Sequence, residues 1–526
     1  MDEEIKRHVK RLEVLKRIRK SHEQRMIDAI KYVLPYHHDM DPKNQSEEWE
    51  DERYDTTATE AASMLADGLM GNLSPPSVKW FSFRATKNEL NDIPQVREWL
   101  QEVDERVVEA LDRSNFYDLA PVIYRHAVSV ETVAVMADRD PQEEACVFSI
   151  IPPKEIFVVN DPFGKVEAVY RNYYLSAEQA KNAFGDVAFS LPLQRALQND
   201  PDTTFPFVTV VYRDRLDNAF PWKAVTFEET GQEILVRSKF RSNPIPVWRW
   251  EVRGRDAYGY GLTTDAMATI KVLNEMQKTL LGLAQRIAAP PLFVPESMAD
   301  EAEVSFESGA INYYKDPGQR PFTLELGSGY PVTSDLIAKV QEQIREKYKT
   351  KYFLMLMQME TSGRTAFEIR ERKIEKITAM GSIVGRCQQE FLGPVLSRVF
   401  WMEYEAGNIP EPPEEMGSLM VEYVGPFAQA QKEVMQTSGV LTGLQNASVI
   451  FQMDPRTTRK IKFEEALDQI LVASGFPAKA IVPNDEYLEM LAQEAAQAQA
   501  QAQAAGHISP AGNPPIANEI LRTIGG

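Results

Sequence analysis

Residues 3–34 place Ile5, Val9, Leu12, Leu15, Ile18, Met26, Ile30 and Val33 at helical spacing, with eight Lys and Arg between Lys6 and Lys20 on the remaining faces. An amphipathic helix is predicted, and its basic face reads as a solvated surface pairing with the chain's own acidic groups rather than with nucleic acid. A second helix is expected from Thr57, whose hydroxyl is placed to cap the first turn while Glu60 reaches back. It carries Ala61, Met64, Leu65, Gly68 and Leu69 as its buried stripe, and Pro75 and Pro76 end it. A third runs from Pro94 through Val96, Leu100, Val103, Val107 and Leu111. The first 125 residues are therefore mainly helical.

From Val130 the period changes to two. VETVAVMAD, CVFSIIP, KVEAVYRNYY, FVTVVYRD, KAVTF and EILVRS alternate between Pro, Gly and Asp, which predicts short antiparallel strands. Ser176 with Gln179 opens a short helix among them and Gly185 closes it.

After Pro246 the apolar positions Leu262, Ala266, Ile270, Leu273, Met276, Leu280, Leu283 and Ile287 recur at three- and four-residue steps. They predict a helix roughly 40 Å long. Pro290 and Pro291 end it, strand-like sequence punctuated by Gly and Pro follows, and Leu336, Ile337, Val340, Ile344 and Tyr348 mark a second long helix opened by Thr333, Ser334 and Asp335. The economical arrangement is an antiparallel pair carrying a small module at its far end. Two such helices cover each other only partly, so further copies of the chain would complete their burial.

Met359 to Arg364 reads as a loop; Thr365 with Glu368 then opens a helix of about forty residues through Met402, in which Pro394 should produce a kink with Gly393 softening it. Gly381 and Gly385 there suit close soluble helix packing. Residues 410–490 read as short helices and loops, and the Ala/Gln-rich stretch after 485 as a helix with a flexible tail beyond Gly506.

The chain has 526 residues, 43% hydrophobic and 26% charged, with 58 Lys and Arg against 77 Asp and Glu, a net charge of −19. Such a surface repels DNA on average. Cys146 and Cys387 are too few for a disulfide framework. The first twenty residues are charged where a signal peptide is apolar, and no run of about 18 apolar residues occurs, so neither secretion nor membrane spanning is expected. Gly259, Tyr260 and Gly261 imitate a dinucleotide-binding turn but lack the third glycine, and a turn into the long helix is the better reading. His37, His38, Asp39 and Asp41 read as a polar loop rather than a metal site. No phosphate-binding loop, nucleophile elbow or zinc-protease motif is present, so no catalytic residue, metal or cofactor is assigned.

The run NPIPVWRWEVRGRDAYGYGLTTDAMATIKVLNE, then AAPPLFV, METSGRTAFEIRERK and QQEFLGPVLSRVFWM resembles the head-to-tail connector, or portal, family of short-tailed, T7-like podovirus bacteriophages. The resemblance is carried by Tyr258, Gly259 and Gly261 before Asp265 and Ala266; by Leu273, Asn274 and Glu275; by Pro290 and Pro291; and by Thr365, Glu368 and Arg370 leading to Phe391, Pro394 and Arg398. DERYDTTATEAASMLADGLMGNLSPP with KWFSF fits the same family, whereas residues 410–526 depart from it.

The resemblance implies an α+β, mainly helical fold and a ring of about twelve copies at one capsid vertex. A separate terminase would package double-stranded DNA through that ring, and the DNA would later be ejected. The implied parts are a wing at 1–257, stem helices at 258–289 and 333–354, and between them a clip at 290–332. A tunnel loop at 355–364, a kinked helix at 365–405, a crown at 406–490 and an Ala/Gln-rich helix suited to a barrel, with its tail, at 491–526 complete the chain. The clip would meet the terminase large subunit and then the tail adaptor. Major capsid and scaffolding proteins would be neighbours in the virion, after assembly in the host bacterial cytoplasm, and no membrane is involved.

A channel in which DNA slides should not grip phosphate, so an acidic lumen is expected. Lys347, Lys349, Lys351 and Arg364, with Met359, Glu360, Thr361 and Ser362 of the loop, are the candidates for transient DNA contact, although salt bridges between subunits would use the same cations. Ile270, Leu273, Leu280 and Ile337 are the candidates for packing between copies. The rival readings are a nucleic-acid-processing enzyme with an unrecognised site and a virion scaffolding or internal core protein.

Overall fold

The basic amphipathic segment forms α1 (Glu3–Val33) in the computed structural model of the chain. Residues 3–34, 53–140, 143–185, 187–229, 233–290, 292–295, 308–314, 322–323, 330–350, 381, 383–414 and 416–429 are described. Ile5, Leu12 and Leu15 of α1 pack on Phe157, Tyr170, Val208 and Phe227, while Met26 and Ile30 join Val158, Val169 and Val211. These partners belong to a five-stranded antiparallel sheet ordered β4 (Ile156–Asn160), β5 (Val166–Ser176), β6 (Thr204–Arg213), β7 (Trp222–Glu228) and β8 (Ile234–Phe240). Arg19 is drawn into this contact: its guanidinium donates to the carbonyls of Pro153, Lys154 and Ile156 and stacks 4.2 Å above the Phe157 ring.

Between β5 and β6 lie two short helices, α5 (Ala177–Phe184) and α6 (Leu191–Asn199). Ser176 and Gln179 form the reciprocal capping box expected from the sequence, and Gly185 ends α5 at φ +70°.

A second layer gathers α2 (Thr57–Leu73), α3 (Pro94–Arg113) and α4 (Phe116–Ser129) around β2 (Thr132–Asp140), β3 (Ala145–Ile151) and β9 (Val247–Arg249). The start of α2 is capped differently from the expectation. Asp55 accepts the Thr57 N–H at 2.8 Å, and the Thr56 hydroxyl donates to Glu60, because Thr57 already lies inside the helix. Asp104 of α3 is buried and accepts from Lys79 Nζ, Ser82 Oγ and Phe83 N–H, each at 2.7 Å. Those donors lie on and just before β1 (Phe81–Ala85), which pairs antiparallel with β13 (Leu419–Tyr423). The strand at 419–423 thus ties residues expected to be crown into the N-terminal body Met1–Ala428.

The two long helices are α7 (Leu262–Ala288) and α8 (Tyr330–Lys347), packed against each other. α7 starts four residues after the expected boundary, while α8 starts three residues before it, so Thr333, Ser334 and Asp335 lie within the helix instead of capping it. The intervening chain forms a three-stranded sheet in which β10 (Leu292–Pro295) lies between β11 (Ile311–Tyr314) and β12 (Phe322–Thr323).

Pro394 changes the helix ahead of it. Residues Gln388–Leu392 form a π turn, followed by α9 (Gly393–Glu405). The Gly393 N–H bonds to the Gln388 carbonyl, five residues back, and the wider turn accommodates a proline that donates nothing. A Cβ on Gly393 would stand 2.8 Å from that carbonyl, so the joint requires glycine.

Candidate functional site at the root of the paired helices

α7 is anchored to the body only over its first half. Thr263, Ala266, Met267, Ile270, Leu273 and Asn274 are buried, and no residue of α7 beyond Asn274 is. Asn274 accepts the Tyr54 N–H at 2.7 Å, Lys271 donates to Asp28 at 2.7 Å, and Asp55 accepts from Gln277 of α7 and Gln341 of α8. Beyond these clamps Leu281 and Ile287 are about half exposed, as are Val272 on the near half and Leu336 on α8.

The entrance to α7 is built around Glu131, a residue at φ +66° between α4 and β2. Its carboxylate accepts from the Thr264 N–H and the Thr264 hydroxyl, so a side chain distant in sequence caps the helix. Its carbonyl accepts the Trp250 N–H at 2.9 Å. The glycines of the Gly259, Tyr260, Gly261 turn are dictated by this contact: a Cβ on Gly259 would lie 1.9 Å from the Glu131 carbonyl oxygen, and one on Gly261 would lie 2.7 Å from the Trp250 ring. The turn leads directly into α7. Glu131 is 1% exposed, and burial pushes its carboxyl up to about 7 against the opposing pull of the Thr264 hydrogen bonds and Arg25.

A second polar junction joins the sheet layer to the π turn. Arg249, 1% exposed, donates from its backbone N–H and its Nε to Glu390 Oε2, from Nη2 to Glu390 Oε1 and the Gly164 carbonyl, and from Nη1 to Asn160 Oδ1. Arg386 reaches the same carboxylate at 2.9 Å. Trp248, fully buried, stacks on Phe391 with ring centroids 5.8 Å apart, so π turn and strand β9 are held by charge and by ring packing together.

Sequence-chosen residues distribute unevenly over this geometry. Ile270, Leu273 and Ile337 are buried inside the single chain, at 5%, 1% and 5% exposure, so their burial needs no neighbouring copy; Leu280 is half-buried. The regular alternation that selected them marks the face turned to the protomer's own body. Lys347 is exposed and its ammonium donates to the Asp265 carbonyl and, at 2.8 Å, to the Thr269 hydroxyl, bridging α8 to α7. Lys349 follows α8 at φ +55°. Lys351, Met359, Glu360, Thr361, Ser362 and Arg364 lie outside the described residues, as do His37, His38, Asp39 and Asp41. Among the described residues no three His, Cys, Asp or Glu converge as a metal site, and no helix is long and apolar enough to cross a membrane. Glu131, Asp104, Asp55 and the Arg249–Glu390 pair carry no sequence signal, since isolated charged residues in loops and strands look like solvated ones.

The family described as bacteriophage head to tail connecting protein matches residues 6–482 of this chain. The chain belongs to that family. The match extends into residues 410–482, where sequence reading alone finds no likeness. Two curated relatives agree: the portal protein of Salmonella phage epsilon15 is 28% identical over 532 residues, spanning 97% of this chain and 94% of the relative. The probable portal protein of Bordetella phage BPP-1 is 27% identical over 484 residues, spanning 88% and 86%. The far half of α7, with Leu281 and Ile287 about half exposed, is the part of the helix pair that the single chain leaves uncovered.

Proposed function

We propose that copies of this chain form the portal ring at one capsid vertex, about twelve subunits around a channel for double-stranded DNA. The observation that carries the reading is the distal half of α7, which leaves Leu281 and Ile287 about half exposed, with no residue buried beyond Asn274. Neighbouring α7 and α8 pairs would cover that surface, with the half-buried Leu280 at its border. The sheet β10–β12 within residues 290–332 would meet the terminase large subunit during packaging and a tail adaptor afterwards. Residues 355–364 would form the loop at the narrow part of the channel, where Arg364, with Lys351 just ahead of the loop, would make passing phosphate contacts. The net charge of −19 suits a conduit that releases DNA as readily as it admits it.

Negative-stain imaging of the purified protein tests the reading: rings with a central hole are expected, and a wild-type protein that stays monomeric at all concentrations would refute it. Leu281→Glu with Ile287→Glu should disperse the rings and leave the melting of the protomer unchanged. Arg364→Glu should leave rings intact and reduce DNA packaging.

A further inference from the structure

Two exposed helix faces carry opposite charge with the same spacing. On α1, Lys6, Lys10, Arg17 and Lys20 are exposed and fall on one stripe together with Glu13. On α3, Glu98, Glu102, Glu105, Glu109 and Asp112 are exposed and repeat the identical intervals of four, three, four and three residues. Each stripe extends about 21 Å along its helix axis. Among the described residues no ion pair engages Lys6, Lys10, Arg17 or Lys20, although Lys16 and Arg19 on other faces of the same helix are paired with Glu229 and Glu23. On the acidic stripe Glu109 meets Arg106, and Glu105 accepts from Gln101, both within the helix; Glu98, Glu102 and Asp112 have no such partner among the described residues.

The stripes do not serve each other within one chain. α1 is fastened over the five-stranded sheet, whereas α3 is fastened to β1 through Asp104 and to α9 through Trp99, whose ring lies 6.4 Å from Phe400. Resting on the ring reading above, we infer that the basic stripe of α1 docks on the acidic stripe of α3 of the next copy, forming a head-to-tail contact that closes the ring outside the helix pair. A heterologous contact of this kind requires two different complementary patches on one chain, and here the chain supplies both. DNA would account for the basic stripe alone. It leaves the matching acidic stripe unexplained and finds Glu13 in the middle of its own binding face.

The test uses full-length chains. One variant carries Lys6→Glu, Lys10→Glu, Arg17→Glu and Lys20→Glu, so both stripes are acidic; another carries Glu98→Lys, Glu102→Lys, Glu105→Lys and Glu109→Lys, so both are basic. Ring assembly followed by light scattering at low salt should slow by about tenfold or more for each alone, and added salt should slow the wild type. An equimolar mixture should recover the wild-type rate by alternating the two variants around the ring, as should one chain bearing all eight changes. Recovery also excludes misfolding as the cause of the loss. Unchanged assembly of the separate variants, or a loss that mixing does not repair, overturns the inference. So does a first variant that assembles normally but loses affinity for a short DNA duplex. A wild type that forms no ring fails the ring reading itself, which the wild-type arm reveals separately, and the inference falls with it.

Discussion

Replacing Glu131 with Gln isolates the electrostatic cost of capping α7 with a buried carboxyl. Gln keeps an oxygen for the Thr264 N–H and offers an amide hydrogen to the Thr264 hydroxyl, so it imitates the protonated side chain. In the folded chain Glu131 holds its proton to about 7, while in the unfolded chain it releases it near the ordinary 4.5. Between those values the native state binds more protons, so this group's contribution makes the wild type less stable as pH rises, and above pH 7 the full cost persists. The displacement corresponds to about 3 kcal/mol at alkaline pH and to almost nothing below pH 4.5. Urea unfolding of wild type and Glu131→Gln, followed by the fluorescence of Trp250 and its neighbours, should give nearly coincident midpoints at about pH 5 and a higher midpoint for the variant at about pH 8.5. A variant equally displaced at both pH values would refute the argument, because a purely steric effect does not titrate.

Asp104→Ala strands the Phe83 N–H in the interior and should cost about 3 kcal/mol in the same unfolding assay. Gly259→Ala forces a Cβ into the Glu131 carbonyl and should yield insoluble or protease-sensitive protein on expression, whereas Gly71→Ala, with nothing within 4 Å, should be tolerated. Glu390→Gln leaves the buried Arg249 charge uncompensated and should cost about 3–5 kcal/mol by denaturant unfolding. Leu273→Asp should lower the melting temperature of the isolated protomer by itself, since Leu273 is 1% exposed there; a normal melting temperature combined with lost rings would restore it to the contact between copies.

Periodicity made most elements legible, and its failures have physical causes. The Pro94 start of α3, the Ser176 box of α5 and the alternating strands β2, β3, β5, β6, β7 and β8 follow directly from side-chain spacing. α4 is hidden because Pro121 sits inside it and reads as a breaker, and β4 is hidden because IFVVN is a short apolar run without alternation. Thr57 misplaces a cap by one residue since Thr56, Thr57 and Asp55 all accept hydrogen bonds well. The helix pair is legible as a pair, but the stripe that reveals a helix is the one its own body buries: Ile270 and Leu273 are buried in the single chain, while Leu281 and Ile287 are about half exposed. The root of α7 was legible only as a glycine turn. Its chemistry depends on Glu131 arriving from 133 residues away, and no local pattern encodes that meeting.

The pairing of β1 with β13 has a consequence for how the chain is made. Phe81 meets Tyr423 and Ala85 meets Leu419, so the sheet edge beside Trp80 and Asp104 stays open until residues 419–423, more than 330 positions later, have been made. During that interval the edge of β1 offers unpaired amides and carbonyls to any extended chain nearby. A product ending before Leu419 would keep that edge open for good, which makes the β1 edge the first place to look for its self-association.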